Sequence, residues 1–155
     1  MKKLICLTLA LLMLGAVALA DAPQLSDSLF SSAKQAVSYL ASGEYERLVT
    51  LLPFSDVAPS AAEWESFAGN YSNLGSIQSS YAVGFWAGGV WVVAVPMQVP
   101  DNGSVEVLAL SSEDGVSFNG YRYATWSQVE SAYATSSHVV WNDEYVGGTP
   151  TVIAD

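Results

Sequence analysis

Few residues of this chain are equipped for chemistry. His138 is the single histidine and Cys6 the single cysteine. His138 sits among Ser136, Ser137 and Val139 in an irregular stretch. A nucleophilic triad needs its imidazole held between a serine and a carboxylate by firm elements, so a structural role is expected for this one. One histidine without a thiolate gives no ligand set for zinc, and the spacing in "DNGSVE" fails the calcium loop of an EF-hand. The G-x-S-x-G nucleophile elbow is absent. Glu106 is the one acid with a chemical prospect. It lies inside a strand pattern and shares a face with Leu108 and Leu110. If it lined an apolar pocket, desolvation would raise its pKa, and it would suit the acid/base work of an isomerase or dehydratase. The plainer expectation is a partly exposed Glu near a strand end, ion-paired with Arg122, the only cation on a strand. The other carboxylates come mostly in turns or at helix starts: Glu44 and Glu46 begin the second helix, where the dipole favours anions, Asp101, Glu113 and Asp114 fall at turns, and Asp143 and Glu144 lie in the tail. The chain is therefore read as non-catalytic, with no cofactor and no metal.

The second feature is "YAVGFWAGGVWVVAVPMQV", residues 81–99, which gathers four rings around a Gly-Gly. A bound ligand and a hydrophobic core both call for such rings. Burying a large apolar side chain contributes about 1.5–3 kcal/mol, and a fold without disulfides needs most of that. The residues are read mainly as core, with a ligand pocket at one end of it. Trp86 and Tyr123 fall near strand ends and would ring an opening. Trp64 and Trp91 would lie deeper, and Phe67 and Tyr71 complete the expected lining.

Three helices and a sheet must position these rings. The first helix starts at Ser26 or Asp27, places Phe30, Ala33, Val37 and Leu40 on one face, and ends at Gly43. The second covers 44–51 and stops at Pro53. The third opens with a capping box, Ser60 and Glu63, aligns Trp64, Phe67, Ala68 and Tyr71, and runs to Asn73-Leu74-Gly75. The period then changes to two. Strands are expected over 77–85, 90–99, 104–110 and 116–123, joined by turns at Ala87-Gly88-Gly89, "PDNGS" and "SEDG". Trp91, Val93 and Val95 would face the helices, with Tyr81 and Phe85 in the same layer. Val90, Val92 and Ala94 would then face outward, an exposed patch suited to a homodimer through the outer sheet face. Pro96 marks an edge or bulge in its strand. Residues 124–155 are less regular, with a helical turn or two at 127–134 and a short strand at 139–145.

Composition sets the outer bounds. The net charge is −10. Residues 1–20, "MKKLICLTLALLMLGAVALA", have the charged start, apolar run and Ala-Leu-Ala end of a secretory signal. Without Lys2 and Lys3 the chain carries −12 and only three cations, Lys34, Arg47 and Arg122. Nucleic acid needs a basic footprint that is missing here. An anionic membrane surface would repel the processed chain. Cleavage also removes Cys6. The expected organisation is a signal peptide (1–20), an N-terminal arm (21–25), a folded domain (26–123) and a C-terminal extension (124–155), in a secreted or extracytoplasmic setting.

"AKQAVSYLASGEYERLVTLLP", "AEWESFAGNYSNLGSIQS" and "WVVAVPMQV" together resemble a domain of unknown function in the nuclear transport factor 2-like superfamily, over roughly residues 28–123. Such domains stand alone or precede secreted α/β-hydrolase domains. The resemblance implies an α+β cone, with three helices packed on a strongly curved antiparallel sheet of about four strands and often an apolar pocket at the open end. "SAYATSSHVVWNDEYVGG" looks like the connector to a hydrolase domain in the fused proteins. Without the nucleophile elbow, their activity does not carry over. The role expected is binding of a protein partner or a small apolar ligand. The alternatives are a pocket-carboxylate enzyme using Glu106 and an accessory domain left by a hydrolase fusion. Export is directly testable: N-terminal sequencing of extracytoplasmic material should begin at Asp21, and an intact Met1 in a membrane fraction would contradict it.

Overall fold

The computed structural model describes residues 22–72, 74, 77–79, 81–98, 105–143 and 152–154. The signal-like segment, the "PDNGS" turn and Asn73 lie outside these residues. The first helix, α1 (Asp27–Ser42), buries Leu29, Phe30, Ala33, Ala36, Val37 and Leu40. Gly43 ends it at φ 73°, its N–H bonding to Leu40 O while the N–H of Glu44 reaches Tyr39 O. This pairing is the Schellman motif, which needs the left-handed conformation that glycine adopts without strain. Helix α2 (Tyr45–Leu51) buries Leu48. Helix α3 (Ala61–Ala68) is held by the expected capping box. The N–H of Glu63 donates to Ser60 Oγ at 3.3 Å, and the N–H of Ser60 donates to Glu63 Oε2 at 2.7 Å. The backbone N–H of Ser60, with its hydroxyl, holds the Glu63 carboxyl below its usual pKa. The helix stops at Ala68, several residues earlier than its apolar spacing implied. Gly69 and Asn70 follow, and the Asn70 side chain and backbone both donate to Phe67 O, closing the last turn.

The sheet has five antiparallel strands where four were expected. They are β2 (Ala82–Ala87), β3 (Val90–Gln98), β4 (Val105–Ser112), β5 (Gly120–Thr125) and β6 (Val139–Asn142), in the order β5-β4-β3-β2-β6. A separate pair joins β1 (Ile77–Ser79) to β7 (Val152–Ala154). The expected strand over 77–85 is thus two strands in two sheets. Strand β5 begins at Gly120 and not at Val116, because Asp114 takes the N–H groups of Val116 and Ser117 into a turn. The Ser117 hydroxyl, which donates to Asp114 Oδ2 at 2.7 Å, and then these N–H groups lower the Asp114 pKa to about 2. Phe118 bridges instead to Phe54 in the loop after α2. Pairing of β3 with β2 ends at Ala94, whereas pairing with β4 continues to Gln98. Pro96, which has no N–H to donate, therefore stands where β3 has lost its β2 neighbour.

The two faces of the sheet carry separate cores. Trp91, Val93, Val95, Met97, Leu108 and Leu110 pack with α1–α3. Tyr81, Val83, Phe85, Ala94, Val107, Ala109 and Ala124 pack on the opposite face with a fourth helix, α4 (Trp126–Tyr133). Tyr81 and Phe85 are therefore not in the helix layer. A two-residue turn decides this. Gly88 and Gly89 have φ of 62° and 84°, as a type I′ hairpin requires. They pair Trp86 with Trp91 and Phe85 with Val92. Facing residues share a face, so Trp86 joins the helix layer, and Tyr81, Val83 and Phe85 join Val92 and Ala94 on the other. Gly84 then faces α1 so closely that a Cβ would come within 2.4 Å of Leu25 and 2.9 Å of Phe30.

The outer sheet face on which a homodimer was expected is partly covered by the same arrangement. Val92 and Ala94 do face away from α1–α3, but α4 lies across them, leaving Ala94 fully buried and Val92 half-buried. Residues 124–142 thus belong to the folded body. Among the described residues no helix is long and apolar enough to cross a membrane. The capping box gives a direct test of α3. Ser60→Ala should cost about 0.5–2 kcal/mol, read from the denaturant midpoint. An unchanged midpoint would show that the cap does not hold the helix.

Candidate functional site

Helix α3 and strand β5 bring a band of rings together on the helix face. Trp64 meets Tyr121 with centroids 4.6 Å apart and Phe67 at 5.6 Å, Phe67 meets Tyr71 at 5.5 Å, and Tyr71 meets Tyr123 at 5.1 Å. Trp64 is fully buried, and its indole N–H has no acceptor among the described residues. Glu106 closes the band. It is buried, where a partly exposed Glu near a strand end was expected, and it lies on the helix face that its alternation with Val105 and Val107 assigns it. Its Oε1 accepts from the Tyr123 hydroxyl and its Oε2 from the N–H of Ser72, both at 2.9 Å. The Tyr71 hydroxyl donates to Val107 O at 2.9 Å. Burial, reinforced by the Glu106 charge, pushes the Tyr71 phenol well above its ordinary pKa. Tyr123 is also raised, by desolvation and by its hydrogen bond to Glu106. The carboxylate thus fastens the segment after α3 to β4 and β5.

The expected Glu106–Arg122 ion pair does not form. Arg122 is directly opposite Ala109, on the α4 face, whereas Tyr123 is opposite Leu108 on the helix face. The expected pocket is also divided. Trp64, Phe67, Tyr71 and Tyr123 form one ring cluster. Trp86 and Trp91 form another at the β2–β3 turn, 5.7 Å apart, with His138 beside Trp91 at 6.3 Å. Trp91 is buried and its indole donates to Pro23 O at 2.7 Å. Trp86 and Tyr123 lie on β2 and β5, separated by β3 and β4 and by several residues of strand rise. That amounts to about 20 Å, so the two do not rim one opening. The His138 carbonyl accepts from the Trp86 N–H, and its ring Nδ1 meets Ser137 Oγ at 2.9 Å, in keeping with a structural role.

A cleft opens on the other face of the sheet, where α4 crosses it. Its volume is about 420 Å³. Phe85, Val92, Ala109 and Ala124 contribute from the strands, and Val129 and Ala132 from α4. Arg122, Gln128 and Ser111 add polar side chains. The cleft exists because the side chains that meet there are short: alanine on β4, β5 and α4, and glycine at position 120. The bulky contacts of α4 lie to one side, where Trp126 and Tyr133 meet Trp141 of β6 at 6.4 and 5.4 Å. None of these lining residues was singled out as a pocket from the sequence. The signal for α4 was nevertheless present in Thr125 and Gln128, which form a second capping box, and in Trp126, Val129 and Tyr133 at spacings of three and four. Among the described residues no cluster of three metal-ligating side chains occurs.

No protein family, curated protein or solved structure matches the chain.

The raised phenols predict an alkaline limb in stability. The folded pKa of Tyr71 lies above its unfolded value of about 10. Its contribution is therefore complete below about pH 10 and is lost as the pH rises, when the unfolded chain sheds a proton that the folded one keeps. Tyr71→Phe should lose about 1 kcal/mol at neutral pH with its hydrogen bond and should show a shallower fall above about pH 10. Denaturant midpoints with the same alkaline slope in both proteins would contradict this assignment.

Proposed function

We propose that this chain is an exported, non-catalytic binding domain of the nuclear transport factor 2-like, cone-fold kind, and that it holds a small apolar molecule in the cleft between α4 and the sheet. The cleft carries the proposal. Its volume of about 420 Å³ falls in the range used by small-ligand sites, which are mostly apolar with a few polar groups. A concave, small-residue hollow suits a compact molecule better than it suits a protein surface. The order of three helices before a curled antiparallel sheet supports the cone-fold reading, and the pattern of residues 1–20 supports export. In the enzyme reading Glu106 would be the acid or base, but both its oxygens already accept hydrogen bonds and the cleft opens on the opposite face.

Decanol is a suitable neutral probe. In a two-dimensional NMR titration, shifts should gather at Val92, Ala109, Ala124, Val129 and Ala132. Ala132→Leu fills the cleft from α4 with a good helix former and should abolish those shifts without lowering the melting temperature. Shifts centred on Trp64 and Tyr123 would place the ligand on the helix face instead, and no shifts at all would end the reading.

A further inference from the structure

The cleft of the proposed function has a charge that its apolar lining does not call for, and that charge selects the ligand. Three cations lie among the described residues. Lys34 is paired with Asp143, and Arg47 with Glu44 at 3.3 Å while it also lies over the Tyr39 ring. Arg122 has no carboxylate within ion-pair distance among the described residues, in a chain with three times as many acids as bases. It is exposed, and it lines the cleft beside Ala109 and Ala124. Gln128 stands on the facing helix. Its Oε1 is committed to the Thr125 N–H at 3.0 Å, so the group it has left over is its amide donor. Ser111 also lines the cleft, and its hydroxyl is engaged with Asn119 Oδ1 at 2.7 Å. Arg122 is the one charged side chain among the lining residues, and a guanidinium is the group best shaped to hold a carboxylate through two parallel hydrogen bonds.

Resting on the small-ligand reading, we infer that the cleft binds an amphiphilic carboxylate, with its apolar body against Val92, Ala109, Ala124 and Val129 and its carboxylate at Arg122. The surrounding charge makes this selective. A strongly acidic protein repels anions in general, so a carboxylate that outcompetes an alcohol of equal length must be held by a local cation.

Calorimetric titration of the full chain with decanoate, decanol and decyltrimethylammonium tests the inference. Decanoate should bind at least about tenfold more tightly than decanol, as one charge-assisted hydrogen bond allows, and the advantage should shrink as salt is added. Arg122→Gln should bring decanoate to or below the affinity of decanol while leaving decanol unchanged. Arg122→Lys should keep part of the preference. Arg122 is exposed, so an unaltered melting temperature is expected and serves as the control for folding. Equal binding of decanoate and decanol, unaffected by Arg122→Gln, would overturn the carboxylate inference and leave the apolar cleft standing. Tighter binding of decyltrimethylammonium would also overturn it. Binding of none of the three would remove the small-ligand reading as well.

Discussion

The pairing of Trp86 with Trp91 across Gly88-Gly89 is the constraint on which the rest of the structure depends. Two glycines with positive φ make a turn of fixed length, and fixed length sets register. Register in turn decides which face each side chain occupies along two strands. With this turn both indoles go to the helix face, together with Val93 and Val95, and Phe85 goes with Val92 to the face covered by α4. A turn one residue longer would exchange the faces of β2 against β3. Phe85 would then enter the space that Phe30 and Leu25 already fill, and Trp86 would be turned toward α4.

The chain before α1 is locked by the same layer. Trp91 donates to Pro23 O, Leu25 packs into the helix-face core, and the N–H of Ser26 bonds to Gly115 O at 2.8 Å. Gly115 has φ 78°, and a Cβ there would lie 2.2 Å from Gln24 O. The N-terminal arm is therefore a packed strap that crosses the β4–β5 turn, and glycine at 84 and 115 is what lets the backbone approach so closely. On the other face the opposite choice was made. Small residues on both the sheet and α4 were not matched by larger ones, so the layers do not fill the space between them, and the cleft is the result.

Local signals in the sequence carried the helices well. Ser60 and Glu63 form the cap that their spacing announces, and Gly43 ends α1 in the left-handed conformation that its position implies. The end of α3 was hidden because Tyr71 continues the apolar spacing although Gly69 and Asn70 have already broken the helix. Tyr71 still reaches the core, but from the turn that follows. Individual strand faces were also legible, including the inward face of Glu106. What could not be read locally was the relation between strands. Placing Phe85 with Trp91 treated two faces as one, and joining Trp86 to Tyr123 put two strand ends on one rim although two other strands separate them. Strand β6 was half-visible as a short run at 139–145. Its partner is β2, more than fifty residues earlier, and no nearby residue announces such a pairing. The cleft was missed for a related reason: absent volume leaves no motif, and alanine at 109, 124 and 132 becomes informative only once those residues face one another.

The alternation along β5 shows how far one register decision extends. Tyr121 and Tyr123 point to α3 and Glu106, whereas Arg122 and Ala124 point to α4. The Glu106 carboxylate on β4 and the Arg122 guanidinium on β5 are held on opposite faces, because Glu106 shares its face with Tyr123, the residue after Arg122. Each must then be satisfied separately. Glu106 is satisfied within the fold, by a phenol and a backbone N–H, and it holds the segment after α3 in place. Arg122 is left to solvent at the edge of an apolar hollow. Moving it one position along the strand would bring the two charges onto the same face, at the cost of replacing Tyr121 or Tyr123 in the ring band that covers Trp64. The separation is therefore enforced by the aromatic packing, and the place of the guanidinium on the cleft side follows from how the helix face is filled.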